Sequence, residues 1–106
     1  MGQSTIRIKA RKTTEYIEVK ILITHPMETG FRQTLEGKIV PEYFIKELTC
    51  YHNDNLALKS HWGVAVSKDP YLSFRINGGA VGDTIRVSWQ DNRGGEESLE
   101  SQVRSQ

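Results

Sequence analysis

The sequence has few of the features that hold small domains together through covalent bonds or anchor them in a membrane. It contains a single cysteine, Cys50, which excludes an intrachain disulfide framework. No apolar run approaches the ~20 residues that a membrane-spanning helix needs. The first residues also lack the apolar core of a signal peptide. Taken alone, the N-terminus therefore indicates a cytoplasmic protein or one that is exported by another route.

A strong charge of one sign is also missing. Lys and Arg together number 14 and Asp and Glu together number 13, so the formal net charge is +1. Binding of nucleic acid or of an anionic membrane would therefore need a local patch of positive charge. Residues 1–12 supply such a candidate, with four basic residues and no acid, whereas residues 96–100 are acidic. The simplest interpretation of the basic stretch is a solvated strand face that keeps a sheet edge from pairing with other chains. The 106 residues suffice for a single domain spanning 1–106.

Alternation of apolar and polar residues predicts an all-β protein of about seven short strands. The clearest strand covers residues 16–24, where Ile17, Val19, Ile21 and Ile23 share one face. The predicted strands are residues 5–12, 16–24, 43–52, 56–62, 71–76, 84–90 and about 96–100, with a brief strand at 39–40 and a frayed tail at about 101–106. Turn signals between these strands favour an immunoglobulin-like antiparallel β-sandwich, and a small closed barrel is the alternative.

The core is predicted to consist of apolar side chains only, and the two tryptophans are its largest members. Trp89 lies on the inward face of the strand at 84–90, and Trp62 is placed on one face with Leu56 and Leu58. No cysteine pair links the two sheets, so the sandwich is expected to hold by burial alone.

The most chemically mixed stretch, Thr24–Arg32, directly follows the clearest strand. Pro26 lacks an N–H group and restricts His25 to extended geometry, so the strand ends here. Gly30 permits a backbone turn that other residues resist. The length and mixture exceed what a connection needs, which predicts a recognition loop. The alternative is that His25 only caps the strand end and Met27 fills an edge of the core.

Cys50 and three histidines raise a second class of function, a small zinc- or cysteine-dependent enzyme. Cys50 and His52 share a strand face, and His25 or His61 could lie near them. Paired metal-ligand motifs and a nucleophile elbow are missing from the sequence, so Cys50 is most simply a small core residue. We predict no cofactor and no metal. A nucleic-acid-binding barrel is the third class, but the tyrosines do not cluster with the basic N-terminal strand.

Three blocks of sequence, in this order, resemble the SoxZ family. They are His-Pro-Met-Glu-Thr-Gly at 25–30, Gly-Lys-Ile-Val-Pro at 37–41 leading into Phe44 and Ile45, and Trp-Gly-Val-Ala-Val-Ser-Lys-Asp-Pro-Tyr-Leu at 62–72. The likeness extends from about Ile6 to Gly95 and includes Gly-Asp at 82–83 and Trp-Gln-Asp-Asn at 89–92. It therefore covers nearly the whole chain.

The resemblance implies a binding subunit and not an enzyme. SoxZ-like chains form a heterodimer with SoxY, and both have immunoglobulin-like folds. SoxY carries sulfur intermediates on a cysteine in a flexible glycine-rich tail, and other enzymes of thiosulfate oxidation act on them in the periplasm. SoxZ-like chains have no signal peptide of their own and are exported with their partner, which implies a periplasmic location. Cys50 lies inside a predicted strand, so the chain is not expected to carry sulfur itself. An interchain disulfide through Cys50 remains an alternative if this residue is exposed.

The resemblance and the mixed loop together predict where partners bind. The loops at 25–32 and 63–71 are expected to contact a SoxY-like carrier and, transiently, other Sox pathway enzymes. The predicted contact residues are His25, Met27, Glu28, Arg32, Ser67 and Tyr71. No nucleic acid or membrane partner is predicted. An apolar interface left without its partner can pair with a second copy, so a homodimer is the alternative state of the isolated chain.

Overall fold

The computed structural model describes residues 5–106 as two packed β-sheets of four strands each. The strands are β1 (Ile6–Lys12), β2 (Tyr16–Ile23), β3 (Ile45–His52), β4 (Asn55–His61), β5 (Tyr71–Asn77), β6 (Thr84–Asp91), β7 (Glu96–Gln102) and β8 (Arg104–Ser105). The first sheet has the order β5-β2-β1-β8 and the second the order β4-β3-β6-β7. The described residues include no helix, and the predicted all-β sandwich is confirmed, with eight strands instead of about seven. None of these residues forms a helix long and apolar enough to cross a membrane.

The core lies between the two sheets and is built from the inward residues of their central strands. β2 pairs with β1 on one side and β5 on the other, and its four β-branched inward residues are all buried. β6 pairs with β3 and β7 in the second sheet, and its inward residues Ile85, Val87 and Trp89 are buried in the core. Trp89 is a core anchor as predicted, whereas Trp62 is half-buried and packs against the core from outside.

The predicted frayed tail is wrong, because the C-terminal residues complete the first sheet. β7 continues to Gln102, and the next side chain, Val103, is buried in the core. The Val103 N–H donates to the Asp83 carbonyl at 2.8 Å. β8 then pairs with β1 in parallel, with Arg104 beside Arg11, so the sandwich is not purely antiparallel.

The predicted inward position of Leu56 is also wrong. The pairing of β3 with β4 shifts register between Cys50 and Tyr51, so that Leu58 lies beside Cys50 and Leu56 beside Tyr51. Since neighbouring strand residues point to opposite faces, this one-residue irregularity keeps Leu58 inward and turns Leu56 outward. Leu56 is accordingly 55% exposed.

Residues 28–43 leave the body of the sandwich as a projecting hairpin. The predicted brief strand at 39–40 is reduced to a single bridge between Gln33 and Ile39, and a second bridge joins Glu28 to Tyr43 at the root. Every residue from 31 to 39 is exposed. The Cα radius of gyration is 15.8 Å, against about 13 Å for a compact domain of this size.

Candidate partner-binding site

His25 lies at the root of the projecting hairpin, at one end of the sandwich, and is only 2% exposed. Its backbone N–H donates to Asp69 Oδ1 at 3.0 Å, and the Asp69 N–H donates back to the His25 carbonyl at 3.0 Å. Its ring Nδ1 accepts the Met27 N–H at 3.1 Å, so the proton of the neutral ring lies on Nε2. The ring packs between Tyr43 and Trp89, with centroids 4.4 and 5.4 Å away.

Asp91 is the buried carboxylate that faces His25. Its Oδ1 accepts the N–H groups of Arg93 at 2.9 Å and Gly95 at 2.7 Å. Its Oδ2 lies 3.9 Å from His25 Nε2, too far for a hydrogen bond, and Nε2 has no such partner within residues 5–106. Gly95 must lack a side chain here, because a Cβ would lie 2.6 Å from Asp91 Oδ2. The hairpin root therefore rests on a buried polar pair held by backbone donors.

The ionisation of His25 is set mainly by burial. Burial lowers the pKa of His25, and the nearby Asp91 carboxylate opposes this effect only in part. The Arg93 guanidinium lowers the His25 pKa further, while Asp69 raises it slightly. Burial and Asp91 both raise the pKa of Tyr43. The histidine ring under the hairpin is therefore neutral at pH 7.

We expect His25 to make the fold less stable as the pH falls below neutrality. The folded pKa of His25 lies below its unfolded value of about 6.5, so the unfolded chain binds this proton more readily. The contribution of His25 to stability is present above that unfolded value and is lost as acid is added. Urea unfolding of the wild type and of His25→Gln at pH 7.5 and 5.5 measures it. The pH-induced loss should shrink in His25→Gln and stay unchanged in His61→Gln, where the imidazole is exposed; an equal loss in all three proteins would contradict this prediction.

Met27 was expected to face a partner, but its side chain is buried at the edge of the core. It is 5% exposed, and its Sδ accepts the Ile45 N–H at 3.4 Å. Its backbone adopts φ +51°, which carries the chain out of the strand direction and into the hairpin. His25 and Met27 are therefore not surface residues. His25 caps the strand end and Met27 fills the core edge, which was the alternative interpretation of the sequence.

Glu28 and Arg32 form an ion pair across the start of the hairpin. The Arg32 Nε donates to both Glu28 carboxylate oxygens at 2.9 and 3.0 Å, and Nη2 donates to Oε1 at 2.7 Å. The Arg32 guanidinium lowers the pKa of Glu28. Backbone bonds between Glu28 and Tyr43 close the root beneath the pair. Both side chains reach the surface, where the guanidinium is the more exposed of the two.

The second predicted loop, residues 63–71, meets the first at the same end of the sandwich. Asp69 bonds His25 as described, and Lys68 lies near enough to lower the pKa of Glu28. Ser67 and Tyr71 are both exposed. The structure thus brings the two predicted loops together, with Glu28, Arg32, Ser67 and Tyr71 at the surface.

The structure adds three apolar surface residues to the six predicted site residues. Phe31 is 84% exposed, Leu35 is fully exposed and Ile39 is 62% exposed, and all three lie on the projecting hairpin. Backbone bonds from Thr34 to Lys38 and from Gly37 to Thr34 place Leu35 at its turn. The sequence gives little indication of these three residues, because each is a single apolar residue in a polar stretch that has neither helical nor strand periodicity. Large exposed apolar side chains grouped on one projection are typical of protein interfaces.

Cys50 is placed where it cannot act as a thiolate. Its side chain is fully buried, and burial raises the pKa of its thiol to about 12. Its strand neighbour His52 instead pairs with Asp83, with Nε2 and Oδ2 2.7 Å apart. Within residues 5–106 no group of three or more His, Cys, Asp or Glu residues is arranged to hold a metal ion.

Cys50 is expected to resist thiol reagents as long as the chain is folded. A buried thiol with a raised pKa supplies almost no thiolate at pH 8. Titration with Ellman's reagent should therefore label no thiol in buffer and one per chain in urea. Fast labelling in buffer would contradict the burial of Cys50 and would make an interchain disulfide an alternative again.

Comparison with known proteins identifies the family. The family model described as sulphur oxidation protein SoxZ matches residues 6–102, which contain strands β1 to β7 and the whole hairpin. A search among curated proteins returns no match. Because the family match covers nearly the whole chain, it also places the chain in sulfur oxidation. The chain belongs to the SoxZ family of sulphur oxidation proteins.

Proposed function

We propose that the chain is a non-catalytic subunit that pairs with a SoxY-like sulfur-carrier protein and presents it to the enzymes of thiosulfate oxidation. Membership of the SoxZ family over residues 6–102 supports the pathway. The observation that carries the binding role is the projecting hairpin, which holds Phe31, Leu35 and Ile39 in solvent. The natural site of action is the periplasm, which the chain reaches together with its partner.

The hairpin is built as a contact surface and has little stability of its own. An isolated two-stranded hairpin is marginally stable in water, and this one has a single bridge beyond its root. A partner that covers Phe31, Leu35 and Ile39 would remove apolar surface worth about 1.5–3 kcal/mol for each side chain. Binding would therefore stabilise the hairpin as it buries these residues.

Polar groups around the hairpin supply the rim of the proposed interface. The Glu28–Arg32 pair is preformed, so it can meet a partner without first ordering two long side chains. Ser67 lies on the neighbouring loop, and Tyr71 begins β5 at the same end of the sandwich. His25 and Met27 are buried beneath the hairpin, where they hold its root, and we do not expect them to contact the partner.

The buried Cys50 supports a binding role over a catalytic or carrier role. A sulfur-carrying thiol must form a thiolate and reach several active sites, and a buried thiol with a pKa of about 12 does neither. The reactive cysteine is therefore expected on the partner.

Coexpression with the SoxY-like protein of the same host tests the proposal. The two chains should elute as one complex with equal stoichiometry, and thiosulfate oxidation reconstituted with the other pathway enzymes should require both. The isolated chain should show no turnover. A failure to form the complex would contradict the proposal. Turnover by the isolated chain, or stoichiometric zinc in protein purified without chelators, would favour the enzyme alternative.

A further inference from the structure

We propose that the outer face of the first sheet is a docking surface for a second, acidic protein partner. Strands β1, β2, β5 and β8 place six cations on this face, here called the basic face: Arg7, Lys9, Arg11, Lys20, Arg75 and Arg104. Glu18 is the one carboxylate among the residues that the structure describes on these strands' outer side. Since the whole chain has a net charge of +1, the rest of it is on balance acidic.

The pairing registers establish that these cations share one surface. Lys9 of β1 lies directly beside Lys20 of β2. Arg11 lies between Glu18 of β2 and Arg104 of β8, and Glu18 is in turn beside Arg75 of β5. Residues directly opposite in a ladder point to the same face, about 5 Å apart. The cations therefore form a contiguous patch, although they are scattered from residue 7 to residue 104 in the sequence.

Protection of a sheet edge does not explain the whole of the basic face. The N-terminal cations were interpreted as such protection, and β8 covers β1 only beside Arg11 and Lys12, so edge protection still fits Arg7 and Lys9. It does not fit Lys20, because β2 lies between β1 and β5. Lys20 is thus on a central strand. Like charges directly opposite each other also destabilise a sheet, and Lys9–Lys20 and Arg11–Arg104 are two such pairs. A surface that only needed to be soluble would mix the two signs.

An apolar row at one end of the basic face favours protein over nucleic acid or membrane. Leu22 and Tyr71 are neighbours across β2 and β5, next to Arg7, and both are exposed. With Ile8, Lys9 and Lys20 they line a depression of about 220 Å³. A protein surface supplies both carboxylates and an apolar side chain for such a depression. A phosphate backbone has no apolar group to fill the depression. Binding to a bilayer would require apolar residues across the whole contact surface.

The character of this surface predicts fast, salt-sensitive association. Exposed charges raise encounter rates more than they add affinity, and salt screens them. The basic face therefore suits a transient partner, whereas the apolar hairpin suits a lasting one. The inference does not depend on the proposed carrier pairing, because the two surfaces share only Tyr71, while the six cations and Leu22 belong to the basic face alone.

A labelled acidic peptide tests the inference by fluorescence anisotropy. The probe is an extended peptide with glutamate at alternate positions and one leucine; single-stranded DNA of equal charge and phosphatidylglycerol vesicles are the competing ligands. The peptide should bind the full chain at low salt, with binding lost at high salt. The pair Lys9→Gln and Lys20→Gln should weaken it about tenfold, or about 1.4 kcal/mol. The matched pair Lys59→Gln and Arg86→Gln, on strands β4 and β6 of the second sheet, should leave it unchanged.

The other outcomes overturn the inference. Equal weakening by both variant pairs, or no weakening by Leu22→Ser, would show general charge attraction and no defined site. Tighter binding of DNA or vesicles would assign the face to those ligands. The titration is repeated on the complex with the carrier protein, and loss of peptide binding there would show that the face is not free for a second partner. Each of these results leaves carrier pairing itself intact, so the two proposals can fail separately.

Discussion

Replacing Asp91 with alanine is expected to lower the free energy of unfolding by about 3 kcal/mol, the largest loss for any single polar residue described above. The carboxylate is buried and its Oδ1 accepts the N–H groups of Arg93 and Gly95. Alanine removes the acceptor of both donors and leaves a cavity beneath the hairpin, beside the His25 Nε2, which has no hydrogen-bond partner among residues 5–106. Urea unfolding at pH 7.5, followed by tryptophan fluorescence, measures the loss.

Two variants separate the buried position from the charge. Glu100→Ala removes an exposed carboxylate on the regular strand β7 and should change stability by less than about 0.5 kcal/mol. Asp91→Asn keeps the shape and one acceptor oxygen, so its loss should fall between the other two. A small loss in Asp91→Ala would mean that the cost of desolvating this carboxylate cancels the hydrogen bonds it accepts.

The sequence pattern predicted the strands well wherever a strand has one buried face. β2 and β6 alternate strictly, and the structure places them as the central strands. The end of the chain was mispredicted because Val103 is a lone apolar residue among polar ones and gives no period. Its burial depends on a slot beside β1 that only the assembled sheets provide. The irregularity after Cys50 was missed for a related reason, since a single extra residue inverts the alternation of β4 without a local signal.

The position of the loop at residues 24–32 could be predicted from the sequence, but the direction of its side chains could not. The mixed composition of residues 24–32 predicted a recognition loop, and the structure brings this loop and the loop at 63–71 together at one end of the sandwich. In a loop no period separates inward from outward residues, so local backbone geometry decides. The turn at Met27 sends that apolar side chain into the core, whereas Phe31, which is also apolar, is left in solvent against the expectation from its polarity. Partner contact by the exposed residues stays a prediction.

The basic face could not be found from the sequence alone, because its cations come from four strands. The N-terminal stretch shows three of them, but Lys20, Arg75 and Arg104 join only through the pairing of β2, β5 and β8 with β1. The hairpin and the basic face are different in character, one apolar and projecting, the other charged and flat. The two proposed surfaces would therefore suit two different partners, one lasting and one transient.

Removing the apolar side chains of the hairpin is expected to have the largest effect on carrier binding. In the variant with Phe31→Ser, Leu35→Ser and Ile39→Ser, affinity for the SoxY-like protein should fall by a factor of about 100 or more, because a few buried aromatic and aliphatic anchors carry most of the energy of an interface. Stability of the isolated chain should hardly change, since all three side chains are exposed before binding. Isothermal titration calorimetry of the purified chains measures the affinity, and urea unfolding checks the fold.

The matched control removes apolar side chains of similar exposure elsewhere. Leu56 on β4 and Val81 in the turn before β6 are 55% and 57% exposed, so Leu56→Ser with Val81→Ser should leave carrier affinity unchanged. The reverse pattern, with normal binding by the hairpin variant and weak binding by the control, would move the carrier interface to the β4 side of the second sheet. The hairpin would then need another partner to account for three apolar residues in solvent. Loss of binding in the hairpin variant alone would assign the interface to the same loop whose histidine and methionine, buried beneath it, fix its root.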